Sequence, residues 1–491
     1  MTYKGSVQLN DLDEAKARKV LLNSAARGHA SLTTSVVFSF FLFNTSKLID
    51  SAFTGSRFGS FLMPSGRRTG VSKEAILVPK ELDKKLAKEY ELIIADQIDF
   101  YSTLLEAGVK KDEASKILSY GTLGGGFFTI PLETFLIWEK TYKANKEWVP
   151  SEIFESMELI RAQLKKSGTS FIYECGKNAK RTSYIFPTIF KNPFEKTQFD
   201  ALTKYEEKLF NSSTETLLIQ KWINKEIFKG LEEKLEELNK WKSDLIFLIS
   251  NSNLHKKSDQ IANEIEKLLY EVSKISSEYS GAISLTFLSK VAWRVWGEVK
   301  RHRTLQQEVE SIYRAVTRTL LNKDNLDNFI SIPKGIKERG FDEKWKEIIL
   351  RSLDFYEKVK IKYGKYNPGY GSWLGLYVVP RAIKLLVLKK FDLYNLIAGY
   401  MPLRLCSTAE EEMQRITNQE LKIITKKIPE LAKFIKPKCW LSCFCPEKNY
   451  CSAITELFPG YKVEIHEALN ENLVMRQVLS HTRLYLSLIH I

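Results

Sequence analysis

The chain has 491 residues, with 74 lysines and arginines against 59 aspartates and glutamates and a formal net charge of +15. At 44% hydrophobic and 12% aromatic residues it carries enough apolar surface for sizeable cores, which excludes disorder throughout. The basic excess predicts anionic partners (nucleic acid, acidic membrane, nucleotides or other phosphorylated ligands) without choosing among them.

The length corresponds to two to four domains at roughly 100–200 residues each. No apolar run reaches the roughly 20 residues needed to cross a bilayer. The first nineteen residues lack the apolar core of a secretory signal. Six cysteines, four of them between Cys439 and Cys451, do not make a disulfide framework. A reducing, cytoplasmic setting without a membrane partner is expected.

Residues 1–200 mix the apolar stretch 36–43 (VVFSFFLF), Gly/Ser-rich turns and amphipathic segments. The string Gly121-Thr122-Leu123-Gly124-Gly125-Gly126 lacks both GxGxxG spacing and a phosphate-binding lysine, so it reads as a turn or a close backbone approach. Residues 201–280, rich in Lys and Glu, read as helix. Leu231, Leu235, Leu238 and Leu245 form one seam, and Ile261, Ile265, Leu268, Val272 and Ile275 step by four and three in a second. With the polar stretch 250–259 as a turn, an antiparallel helical hairpin is predicted, an insertion or spacer with a solvated outer face.

From residue 281 onward the texture of the first region returns. Arg57 and Ser65 recur as Arg303 and Ser311, 246 residues later in both cases. Val78-Pro79-Lys80 recurs as Ile332-Pro333-Lys334, and Asp99-Phe100-Tyr101 as Asp354-Phe355-Tyr356. Matches in the same order with a slowly growing offset point to an old duplication with insertions.

The densest polar cluster is Arg301-His302-Arg303, followed by Ser311. Two guanidiniums flanking an imidazole suit a phosphate or an electron-rich ring with anionic character; the plain alternative is a charged turn on a surface helix. Cys439, Cys443, Cys445 and Cys451 have gaps of three, one and five residues. Tetrahedral zinc favours paired knuckles, which the tight Cys443-x-Cys445 pair fits poorly, so no metal is expected. Cys175 and Cys406 read as packing residues.

Arg301-His302-Arg303, seven residues and Ser311 together match RHR-x7-S, and the chain thereby resembles the flavin-dependent thymidylate synthases. Other segments carry the same resemblance: Arg27-Gly28-His29-Ala30-Ser31 before the apolar stretch, Ser65-Gly66-Arg67, and Leu403-Arg404 followed by Ala409-Glu410-Glu411-Glu412-Met413. The tail PKCWLSCFCPEKNYC is similar to one in some members. The N-terminal half shows Gly55-Ser56-Arg57 where RHR is expected, and offers only Lys140 and Lys143 near the place of Arg404. The C-terminal half shows Gly281-Ala282 in place of Gly-His and Ser311-Ile312-Tyr313 in place of Ser-Gly-Arg. The halves are complementary, as though together they made one composite site.

The resemblance implies an α+β fold, each repeat a mixed, mainly antiparallel sheet with long helices. The expected domains are 1–200, an N-terminal repeat; 201–280, the hairpin; and 281–491, a C-terminal repeat carrying RHR-x7-S and the Cys-rich tail. It implies reductive methylation of dUMP to dTMP with FAD as cofactor and NADPH and methylenetetrahydrofolate as co-substrates. Arg301, His302, Arg303, His29 and Ser31 are then expected at the flavin. Ser65, Gly66, Arg67, Glu298 and Ser311 are expected at dUMP, with Arg404 as the catalytic cation beside the pyrimidine. Glu298 stands where the family has Gln. Self-association of two tandem chains into a pseudo-tetramer is expected, and nucleic acid is not an expected partner. The alternative is a catalytically inactive relative, a basic nucleic-acid-binding or scaffold protein.

Overall fold

A computed structural model describes residues 13–26, 31–64, 70–167, 169–179, 181–365 and 367–470. The fold is α+β, as expected, with two sheets and many helices. Among the described residues no helix is long and apolar enough to cross a membrane. The chain divides into two compact units. The first comprises Met1–Ala201, Ala292–Arg303 and Val309–Leu385; the second comprises Leu202–Val291, Thr304–Glu308 and Leu386–Ile491.

In chain order the first half runs through β1 (Val37–Leu42), α1 (Leu48–Phe53), β2 (Ser60–Leu62), α2 (Lys84–Glu106), β3 (Gly126–Pro131) and α3 (Leu132–Ala144), with short helices between. The aromatic run of β1 favours a pleated, half-buried strand. Two residues beyond its end, Asn44 turns the chain with a φ of 55°, a left-handed conformation that asparagine tolerates. The sheet order is β1-β3-β2, with both pairings antiparallel. Phe40 of β1 stacks on its partner Phe128 of β3 with ring centroids 5.2 Å apart. On the other face Val37, Phe41, Leu62 and Phe127 stay exposed. The glycine-rich string permits close approach: Gly125 has φ +103°, and a Cβ there would lie 2.2 Å from the Leu42 carbonyl oxygen.

The second unit is built on a four-stranded sheet ordered β4-β5-β7-β6. Its strands are β4 (Thr216–Ile223), β5 (Ile283–Ala292), β6 (Gln306–Val309) and β7 (Lys384–Phe391). Between β4 and β5 lie α4 (Lys225–Ser250) and α5 (Leu254–Glu278), and both leucine and isoleucine seams are buried. Two expectations for 201–280 need correction. Residues 216–223 are a strand hydrogen-bonded to β5 rather than helix, and the turn shrinks to three residues because α5 starts at Leu254. Leu, Ile, Trp and Thr in TLLIQKWI suit an added edge strand, and the surrounding Lys/Glu-rich composition masked that preference.

The second half then supplies α6 (Trp293–Val299), α7 (Ile312–Leu320), α8 (Asp342–Gly364), α9 (Leu393–Ile397), α10 (Tyr400–Arg404) and α11 (Glu411–Lys427). Its strands repeat the first half: β5, β6 and β7 take the places of β1, β2 and β3, again with the third strand in the middle. The correspondence extends to hydrogen bonds. Lys47 N–H donates to Thr122 O at 3.0 Å, and Trp293 N–H donates to Ile383 O at 2.8 Å. The antiparallel bridge Ile76–Thr122 likewise has a counterpart in Ile330–Ile383.

Inside the first unit the equivalent helices α2 and α8, each of 23 residues, pack antiparallel. Asp83, which caps α2, accepts from Lys362 Nζ at 2.6 Å and Tyr363 OH at 2.9 Å near the far end of α8. At the middle Gln97 Nε2 donates to Ser352 Oγ at 3.0 Å, a contact between residues in corresponding positions. Ring contacts come in related pairs, Tyr90 with Phe355 and Phe100 with Trp345. Such reciprocity marks a local twofold axis.

A cation-lined pocket as candidate active site

In the first unit α1 and α6, each following the first strand of its half, border one pocket. The N-terminal half contributes Lys47, Asp50, Ser51 and Thr54 from α1 and its approach, with Met63, Pro64 and Tyr120. The C-terminal half contributes Arg294, Gly297, Lys300, Arg301 and Arg381. Trp293 Nε1 donates to Ser51 Oγ at 3.2 Å and fixes α1 to the start of α6. The guanidinium of Arg381 lies 4.6 Å from the ring centre of Tyr120. These two residues correspond across the halves, 261 positions apart, so the local twofold passes beside the pocket.

The electrostatics are one-sided. Arg294 is paired with Glu298 at 3.0 Å, but Lys47, Lys300, Arg301 and Arg381 face a single carboxylate, Asp50. Burial lowers the Lys47 ammonium to about 8, with Arg381 and Arg294 adding to the fall and Asp50 opposing it. Burial also lowers Lys300 to about 7, helped by Arg301 and resisted by Asp50. The Asp50 carboxyl is pushed up by burial, in part offset by the surrounding cations. Lys300 Nζ donates to the backbone oxygen of Asp50, not to its carboxylate, and Asp50 Oδ1 is shielded from solvent without a hydrogen-bond partner among the described residues. Arg381 is held in place by its bonds to Ser119 O, at 3.0 Å from Nε and 2.7 Å from Nη2.

Of the residues expected at a site, Arg301 reaches this pocket, at an exposed position. Arg303 instead lies over the ring of Phe61 in β2, 5.1 Å from its centre. His302 follows α6, with its backbone N–H bonded to Val299 O. Glu298 is buried within α6, one turn before RHR. Ser311 stands at the N-terminal boundary of α7 without capping it, and its hydroxyl instead donates to Lys191 O at 2.7 Å. Ser31 opens a short helix (Ser31–Ser35) at an exposed position. His29, Ser65, Gly66 and Arg67 lie outside the described residues. Arg404 belongs to the second unit, at the end of α10 and half-buried near Tyr400.

Lys47, Asp50, Lys300 and Arg381 escaped the sequence reading. Their signal was present: Asp50 interrupts the apolar run of α1, Arg381 interrupts VVPRAIKLLVL, and Lys300 directly precedes RHR. A charge inside an apolar segment is costly unless something compensates it. The six cysteines are all free, and among the described residues no group of His, Cys, Asp or Glu is placed to hold a metal ion.

The family model for thymidylate synthase complementing protein matches residues 1–167 and 249–430. Among solved structures, the flavin-dependent thymidylate synthase of Helicobacter pylori complexed with FAD and dUMP is similar at 15% identity. The likeness covers 45% of this chain and 99% of that one, with a TM-score of 0.29. No curated protein matches.

Proposed function

Because the chain belongs to the thymidylate synthase complementing protein family, we propose that it is a flavin-dependent thymidylate synthase that converts dUMP to dTMP. The observation that carries this reading is the cation-lined pocket, in which Arg301 of the RHR string stands beside Lys300 and Arg381. Such a donor set fits a phosphate-bearing dinucleotide such as FAD, since guanidinium forks match phosphate oxygens in geometry and charge. When bound, FAD supplies hydride chemistry, with NADPH and methylenetetrahydrofolate as co-substrates.

The protein's own residues bind and polarise. Arg301 and Arg303 clamp flavin phosphates, with His302, His29 and Ser31 at the flavin. Ser65, Gly66 and Arg67 hold the dUMP phosphate, and Glu298 and Ser311 complete its binding site. Arg404 stabilises negative charge on the pyrimidine, which makes C5 a better nucleophile; this is electrostatic activation by a fixed cation. Ser311 is a binding residue, not a nucleophile, consistent with a hydroxyl already donated to Lys191 O.

The chain is, on this reading, a tandem fusion: repeats at 1–200 and 281–491, with 201–280 as the intervening segment. The repeated strand order and the related hydrogen bonds of the two halves support it. Two chains then associate in the cytoplasm as a pseudo-tetramer. Val37, Phe41, Phe43, Leu62 and Phe127, each at least 40% exposed, form an apolar area suited to such association.

The purified protein is expected to be yellow and to oxidise NADPH only when dUMP is present. Light scattering of the yellow fraction is expected to give twice the 56.7 kDa chain mass; a monomer would remove the pseudo-tetramer. A colourless protein that binds nucleic acid with steep salt dependence would instead establish the non-catalytic reading.

A further inference from the structure

We propose that the pocket between α1 and α6 is a sugar-phosphate site, one per chain, in which Lys47, Lys300 and Arg381 take the phosphate and Asp50 accepts a sugar hydroxyl. No RHR residue is needed for this assignment, and the N-terminal half supplies two of its four groups. It rests on the proposed function only for the identity of the ligand.

Three observations lead to it. First, Lys47 has no side-chain hydrogen bond or ion pair among the described residues, and neither does Arg301 at the mouth. Four cations so placed repel one another, and a bound dianion reverses the sign of that interaction. Second, Asp50 Oδ1 is buried without a donor, although cations surround it. A buried acceptor left unpaired costs roughly 1–3 kcal/mol, and a hydroxyl from the ligand satisfies it. Carboxylate recognition of ribose hydroxyls is established chemistry in dinucleotide-binding folds. Third, the pocket encloses about 60 Å³ of free space and is open on one side, so it accommodates a compact anionic group such as a phosphate while the rest of a ligand extends through the mouth.

The local twofold explains why one ligand suffices. Tyr120 and Arg381 occupy corresponding positions, as do Asp50 and Trp296, and Thr54 and Lys300. In two identical subunits these pairs would be alike on both sides. Here one side carries the carboxylate and the other the cations, so the pocket has a single polarity and a single binding orientation.

Titration calorimetry on the flavin-free full chain, with inorganic phosphate, dUMP and ADP as separate probes, tests the site. One molar equivalent of ADP is expected per chain, tighter than phosphate, with dUMP as the comparison because its own site is assigned to Ser65, Gly66 and Arg67. Lys47→Met is expected to weaken phosphate and ADP binding at least tenfold, and Lys47→Arg to restore it, while dUMP bound at Ser65, Gly66 and Arg67 is unaffected. Asp50→Asn is expected to leave phosphate as tight or tighter while removing the preference for a sugar phosphate. Wild-type protein that binds no phosphate, or Lys47→Met with unchanged phosphate affinity and an unchanged melting temperature, overturns the proposal.

A pH series with sulfate, which does not itself titrate in this range, gives a second readout. Lys47 and Lys300 lose their protons near pH 8 and 7, in the field of Asp50, Arg294, Arg301, Arg381 and Tyr120. Affinity is therefore expected to fall from pH 6 to 9, with proton uptake on binding. Flat affinity contradicts the site. A colourless protein without dUMP-dependent turnover sinks the enzymatic reading and leaves these binding results standing. Unchanged phosphate binding by the Lys47 variant in a yellow, active protein sinks the site alone.

Discussion

Lys389→Ala is expected to destabilise the second unit by about 3–5 kcal/mol, the cost of stranding a buried charge. Lys389 on β7 and Glu420 on α11 are both fully buried and form an ion pair. Glu420 Oε1 also lies 3.2 Å from Thr216 Oγ1 of β4 and 3.2 Å from Ser289 Oγ of β5. The pair thus ties an outer strand, two inner strands and a helix to one carboxylate. Removing the ammonium leaves that carboxylate in an apolar interior, where neighbouring hydroxyls replace little of the lost attraction. The midpoint of denaturant unfolding followed by circular dichroism measures the loss. Lys389→Met with Glu420→Leu should recover most of it, because apolar residues of similar volume often match a buried pair. A Lys389→Ala loss below about 1 kcal/mol would mean that water reaches Glu420.

Arg404→Ala is expected to reduce dUMP-dependent NADPH oxidation by about 10²–10³-fold, the usual effect of deleting one preorganised charge-stabilising group. The yellow colour should survive, since flavin retention is assigned to Arg301 and Arg303. Arg404→Lys should recover part of the rate, because a point charge keeps the electrostatic effect and loses the fork geometry. The rate at saturating dUMP separates activation from binding. A saturated rate within about threefold of wild type removes Arg404 from the role proposed for it.

The sequence and the structure agree where one physical signal dominates. The aromatic run 36–43 yields β1, and the leucine and isoleucine seams yield α4 and α5, because period and apolarity point the same way over their whole length. The glycine-rich string turned out to be a close approach, as its missing phosphate lysine implied. Residues 216–223 failed because a strand of eight residues sat in a Lys/Glu-rich stretch and took its identity from pairing with β5. The pocket was least legible. Lys47, Asp50, Lys300 and Arg381 come from four separate stretches, and only folding of the two halves around a common axis makes them neighbours. The residues of RHR-x7-S do not stay together: Arg301 meets the pocket, while Arg303 covers Phe61 and Ser311 bonds to Lys191 O.

The antiparallel contact of α2 with α8 has a thermodynamic corollary. In a dimer of separate chains an isologous contact of this kind obeys mass action and weakens on dilution. Here the corresponding residues Gln97 and Ser352 meet within one polypeptide, so their encounter is intramolecular and set by the effective concentration of the connecting chain. The pairing of the halves is independent of how much protein a cell makes. Substitutions at this contact, which would act twice in a symmetric dimer, act once, so each half can change without its counterpart changing with it.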